Sequence, residues 1–185
     1  MIVTTNANES LFPVIQSLAH RIWPHTFGNI LSNDQIAYML EWMYSVQSIK
    51  DQVEEKGHQY ILALKDEDYI GYASFEINYN KTTDTKLHKI YVLPEFQGKG
   101  AGKVLMDEVI KRTAEAGNKN LLLNVNRDNP ALDFYKNRGF EIIRVEDIDI
   151  GNGYYMNDYV MRLKSFGVEV FLFTFFSLVS SAICL

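Results

Sequence analysis

The sequence holds one cysteine, Cys184, which excludes an internal disulfide and leaves no cysteine pair at metal-ligand spacing. Its four histidines, His20, His25, His58 and His88, show no clustered ligand pattern, so no metal is expected. Basic residues are not in excess. Eighteen Lys and Arg against 23 Asp and Glu leave a net charge of −5, which argues against nucleic acid as the partner and mildly favours a cationic substrate. Internal repeats and low-complexity linkers are absent. Residues 1–6 lack the basic and apolar regions of a secretion signal, so a cytoplasmic location is expected. There the sequons beginning at Asn8 and Asn80 are chance matches. What remains is ordinary: 185 residues, 47% hydrophobic and 22% charged, suit one well-buried domain and are few for two.

One stretch stands out against that background, Gln97-Gly98-Lys99-Gly100-Ala101-Gly102-Lys103. A β-like run over residues 87–92 and the turn at Pro94 precede it; an apolar pattern at helical spacing follows from Val104 to Ile110. A strand, a glycine-rich turn and a helix start make an anion site. The glycines admit close backbone approach, N–H groups converge, and the helix dipole adds about half a positive charge. Two phosphate loops fail on the residues. A Walker A loop needs Gly at its first position and Ser or Thr after the Gly-Lys pair, where Gln97 and Val104 stand. A dinucleotide fingerprint needs Gly-x-Gly-x-x-Gly, and Gly98, Gly100 and Gly102 are one residue short.

The pattern Gln-x-x-Gly-x-Gly, from Gln97 to Gly102, instead resembles the pyrophosphate loop of the GNAT family of N-acetyltransferases, which bind acetyl-CoA. The resemblance runs through residues 85–145. It includes a second strand over 121–125 and a short helix ending in the family's Tyr…Gly-Phe, here Tyr135, Gly139 and Phe140. One departure lies in the loop before that helix, where Asp128 stands at the family's Asn position and Asn129 comes one place later. The resemblance implies an α/β fold with a central, mostly antiparallel mixed sheet and helices on both faces. Acetyl-CoA is the implied co-substrate. Its pyrophosphate would lie on Gln97, Gly98, Lys99, Gly100, Ala101, Gly102 and Lys103, and its pantetheine arm along the main chain of Ile90, Tyr91 and Val92, with Asn129 a further contact. Tyr135 occupies the place of the general acid that protonates the departing thiolate. A base is often a carboxylate on one of two splayed strands; here those places hold His88 and Asn124, and only His88 can accept a proton.

The remaining chain fits this expectation. Helices are predicted over 9–23, ending before Pro24, over 33–43 behind a Ser32 or Asn33 cap, and over 48–56. A hairpin over 59–64 and 69–79 follows, and a last strand over 154–163. Trp23, Phe27, Tyr38, Trp42 and Tyr44 read individually as core and Asp34 and Glu41 as solvated helix surface; the functional alternative is that two or three of the aromatics wall an acceptor pocket, with one of the carboxylates holding the amine. The expected domain is 1–164. Residues 165–185 form an apolar extension that fits a membrane anchor preceded by Arg162 and Lys164, an added or exchanged strand, or an appendage without function. The expected acceptor is a polyamine-like small molecule, with a homodimer possible in principle. A non-catalytic acyl-CoA-binding module, an enzyme of longer acyl chains, and a protein N-terminal or lysine acetyltransferase are the alternatives.

Overall fold

The computed structural model describes residues 1–164, so the expectations for the apolar extension lie outside the described residues. A seven-stranded sheet runs through the molecule in the order β1-β2-β3-β4-β5-β7-β6. Its strands are β1 (Ile2–Asn6), β2 (Gln59–Lys65), β3 (Asp68–Glu76), β4 (Asp84–Val92), β5 (Asn120–Asn126), β6 (Glu141–Gly151) and β7 (Tyr154–Lys164). Every neighbouring pair is antiparallel except β4 and β5. Helices α1 (Phe12–Phe27), α2 (Asn33–Tyr44) and α3 (Val46–Glu54) cover one face; α4 (Ala101–Glu115) and α5 (Leu132–Asn137) cover the other.

Strand alternation sorts the two cores. Tyr60, Leu62 and Tyr72 point toward α1–α3, whereas Ile61, Ala63, Ala73 and Phe75 point toward α4. Ser32 caps α2, its hydroxyl accepting from the Gln35 N–H at 3.2 Å.

Two expectations change. The first strand, β1, was not anticipated, and it adds an edge to β2. Helix α1 does not stop before Pro24 but continues through it to Phe27. An interior proline costs a helix about 3 kcal/mol. Here Trp23 and Phe27 flank it, 3% and 7% exposed. Burying large apolar side chains returns about 1.5–3 kcal/mol each, enough to hold the last turn.

Two irregularities shape the middle of the sheet. Between β3 and β4 the register passes from Ser74 opposite Lys89 to Phe75 opposite Leu87, so His88 is an extra residue, a bulge. Leu87 and Ile90 therefore both face the α4 side, and His88 and Lys89 stand side by side on the other. The second irregularity is the parallel ladder between β4 and β5. It spans Asp84–Leu87 against Asn120–Leu123 and stops there. Beyond it β5 stays with β7, β4 stays with β3, and a cleft opens.

Candidate active site

That cleft leads into a cavity of about 620 Å³. Its lining runs from the glycine loop, through the facing ends of β4 and β5, to the aromatic residues of α1 and α2. On the β5 side, the main chain of β4 from His88 onward has no strand partner among the described residues. An extended, amide-bearing arm can pair with such an edge in strand fashion, as anticipated for Ile90, Tyr91 and Val92.

The loop at the mouth of the cavity owes its form to its glycines. Gly98 and Gly100 have φ of +70° and +92°, a left-handed conformation that side chains disfavour. The Gln97 amide donates to the Val92 carbonyl at 3.1 Å, fastening the loop to the end of β4. The Val104 N–H closes the first helical bond, onto the Gly100 carbonyl at 3.0 Å. The N–H groups of Ala101, Gly102 and Lys103 precede that bond and carry the positive end of a fifteen-residue helix. Gly102 lies on the cavity wall, where an added Cβ would come 3.9 Å from Phe134 and Val92. Lys103 also lines the cavity; Lys99 instead leans on the Phe96 ring. The Ala101 side chain is core. Asn129 lines the cavity and turns the chain into α5, its side-chain oxygen accepting from the Ala131 N–H at 2.9 Å.

Tyr135 projects from α5 into the same cavity, only 8% exposed, its ring edge-on to Phe134 and Phe140. Burial raises its pKa, so the phenol keeps its proton at neutral pH. His88 also lines the cavity, but its surroundings disfavour a charged ring. It stacks on His58 at 3.9 Å and meets the Glu76 carboxyl at 3.3 Å. Burial and the neighbouring His58, Lys89 and Lys86 push its pKa down to about 2. An imidazole that protonates so reluctantly is a weak base at neutral pH. The His58, Glu76 and His88 donor atoms lie within 4.8 Å of one another. The two rings are inclined by only 15°, however. An ion on a nitrogen lone pair lies in that ring's plane, and near-parallel stacked planes share no such point, so the arrangement fits a hydrogen-bonded stack better than a metal site.

The end of the cavity away from the glycine loop is lined by Trp23, Phe27 and Tyr44, three of the five aromatic candidates, which also belong to the core under α1–α3. Tyr38 is instead bonded to the Ile150 carbonyl at 2.9 Å, and Trp42, half exposed, stacks on it. Asp34 and Glu41 are exposed and line no part of the cavity. Two charged residues missing from the sequence-based site do line it. Lys89, 7% exposed, donates to Gln52 and to the Tyr60 hydroxyl, and burial lowers its pKa to about 7. Asp158, 1% exposed, sits on β7 opposite Asn126. The available signal was strand alternation, which puts Asp158 on the same face as Met156, away from Tyr159 and Met161.

The comparisons agree with this geometry. A family model described as Acetyltransferase (GNAT) family matches residues 16–140. The chain belongs to the GNAT family. An uncharacterised N-acetyltransferase of Mycobacterium bovis is 28% identical, covering 80% of this chain and 93% of its own length. Spermidine N(1)-acetyltransferase of Thermoplasma acidophilum is 28% identical over 80% of this chain and 87% of its own. The fold likeness includes the crystal structure of the PaiA N-acetyltransferase of T. acidophilum in complex with coenzyme A. It has a TM-score of 0.75 and 24% identity, covering 89% of this chain and 99% of that one. As a GNAT member the chain is an N-acetyltransferase whose acyl donor is acetyl-CoA. Among the described residues no helix is long and apolar enough to cross a membrane.

Proposed function

We propose that this GNAT enzyme acetylates the primary amine of a small, polyamine-like molecule by direct attack on acetyl-CoA within a ternary complex. The observation that carries the reading is one cavity joining the glycine loop, the β4–β5 cleft and Tyr135 to an aromatic-walled recess under α1 and α2. Its size suits a small acceptor beside the pantetheine end, and the similarity to a spermidine acetyltransferase supports the choice of amine.

The chain's residues divide the work. The loop N–H groups of Ala101, Gly102 and Lys103 hold the pyrophosphate, and the free edge of β4 aligns the thioester. The amine nitrogen attacks the carbonyl carbon, and the oxyanion that forms is met by the Val92 N–H. As the C–S bond breaks, Tyr135 gives its proton to the sulfur, so that a thiol leaves rather than a thiolate.

The test is turnover. The protein is mixed with acetyl-CoA and a panel of diamines, polyamines, amino acids and N-terminal peptides, and free thiol is followed. Rapid thiol release with diamines or polyamines is the expected result. Preference for peptides would replace the acceptor class, and tight CoA binding without turnover would favour a binding module.

A further inference from the structure

We propose that Asp158 is the acceptor-side catalytic residue: its carboxylate receives the substrate ammonium and takes the proton that must leave before attack. This deepens the acetyl-transfer reading and rests on it. An amine is mostly protonated at neutral pH, and only its lone pair can attack. A group on the acceptor side that takes that proton makes the bound amine reactive.

The structure offers one buried, underused carboxylate in the right place. Asp158 lines the cavity on β7, next to the part of β5 that has separated from β4. It is 1% exposed, and its Oδ1 has no hydrogen-bond partner among the described residues. An anionic oxygen left in that state is strongly disfavoured unless a ligand group satisfies it. An ammonium in the recess would do so. The other groups nearby are already engaged. Lys86 of β4 donates to the Asn124 side chain, which in turn donates to Glu146 of β6 at 3.1 Å. Arg127, just past β5, pairs with Asp147.

Charge around the site is mixed. The Asn124 side chain, Lys86 and Arg127 favour the ionised carboxyl, and Glu146 opposes it. His88 and Tyr91 of β4 and His25 of α1 line the same cavity. Burial dominates and raises the Asp158 carboxyl above its usual range, toward the value a base needs.

The balance closes. Asp158 accepts the first ammonium proton and later releases it to solvent. The nitrogen lone pair forms the N–C bond, and the C–S bond electrons pass to sulfur. Sulfur takes the Tyr135 proton, and the second proton lost by nitrogen restores the phenol. The net products are the acetamide, CoA thiol and one proton.

Asp158→Asn keeps the shape and removes the charge, so it is the variant of choice, with Asp158→Glu as a partial rescue. Binding of n-butylamine and spermidine to the CoA-loaded protein is measured by calorimetry, alongside CoA affinity and the pH–rate profile. We expect Asp158→Asn to bind CoA normally, which also reports a sound fold. It should bind both amines at least tenfold more weakly and lose roughly 10²–10⁴-fold in kcat/KM together with its acidic limb. With trifluoroethylamine, largely neutral at pH 7, the loss in rate should be much smaller. Amine affinity and pH profile unchanged in Asp158→Asn, or no amine bound by the wild-type protein, would overturn the assignment. Amine binding that depends on Asp158 without any turnover would instead sink the acetyl-transfer reading and leave the amine site standing.

Discussion

At the scale of single residues, burial decides which side chains can move protons. Tyr135 and His88 line the same cavity, yet burial acts on them in opposite senses. The phenol is held in its proton-bearing form, which suits a donor; the imidazole is held without its proton and against taking one. Tyr135→Phe keeps the ring contacts with Phe134 and Phe140 and deletes only the hydroxyl. It should lower kcat roughly 10²–10⁴-fold with CoA affinity unchanged; a variant with near-normal kcat would reduce Tyr135 to packing. His88→Gln should leave the acidic limb of the pH–rate profile in place, because a ring titrating near pH 2 contributes nothing to it between pH 5 and 8. Loss of that limb in the His88 variant would return the base to His88.

At the scale of elements, two glycines of the loop proposed to hold the pyrophosphate should fail differently. Gly100 sits at φ +92°, so Gly100→Ala strains the backbone whatever the space and should cost about 1–3 kcal/mol in denaturant unfolding. Gly102 has no such φ, and an added Cβ makes only ordinary contacts. Gly102→Asp should leave unfolding nearly unchanged while abolishing CoA binding, since it puts an anion where the phosphates belong. Lys99→Ala should matter least, at most on the order of 1 kcal/mol, because the side chain is exposed and only rests on Phe96. Equal CoA affinity in the Gly102 variant, measured by calorimetry, would remove the pyrophosphate from this loop. This loop was legible in the sequence because glycine spacing and helix periodicity are local properties. So were α2 with its Ser32 cap and the β2–β3 hairpin. The His88 bulge was not, since one extra residue in β4 is defined only against its partner β3. Asp158 was missed for the same kind of reason. A lone acidic residue in a strand acquires meaning only once β7 lies beside the open end of β5.

For the whole molecule, the sheet face under α1–α3 stores so many buried titratable groups that stability should peak at alkaline pH. His58 and His88 are lowered to about 3 and about 2, chiefly by burial. Unfolded histidines titrate near about 6.5, so below that pH the unfolded chain binds more protons and folding weakens as pH falls. The two rings set an upper slope of about 2.7 kcal/mol per pH unit. Asp158 and Glu76, both raised by burial, bind protons more readily when folded and make the real slope shallower. Lys89 and Lys86 extend the trend above neutrality. Their folded pKa values are lowered to about 7 and about 8, chiefly by burial, while unfolded ammonium groups release their protons at about 10.4, so stability climbs through that window as well. Above about pH 10 the sign reverses, because buried Tyr44, Tyr60, Tyr72, Tyr91 and Tyr135 resist ionising in the fold while their unfolded counterparts ionise. The optimum should therefore lie near about pH 9, above the usual range of roughly 5 to 8. Urea unfolding at a series of pH values checks this, with Lys89→Met as the control. The variant should climb less steeply between pH 7 and 9, retaining the share that Lys86 contributes, and keep the fall below pH 6, where the histidines act. A wild-type optimum at or below pH 7 would mean that both lysines remain charged in the fold, Lys89 held by its bonds to Gln52 and Tyr60 and Lys86 by its bond to Asn124.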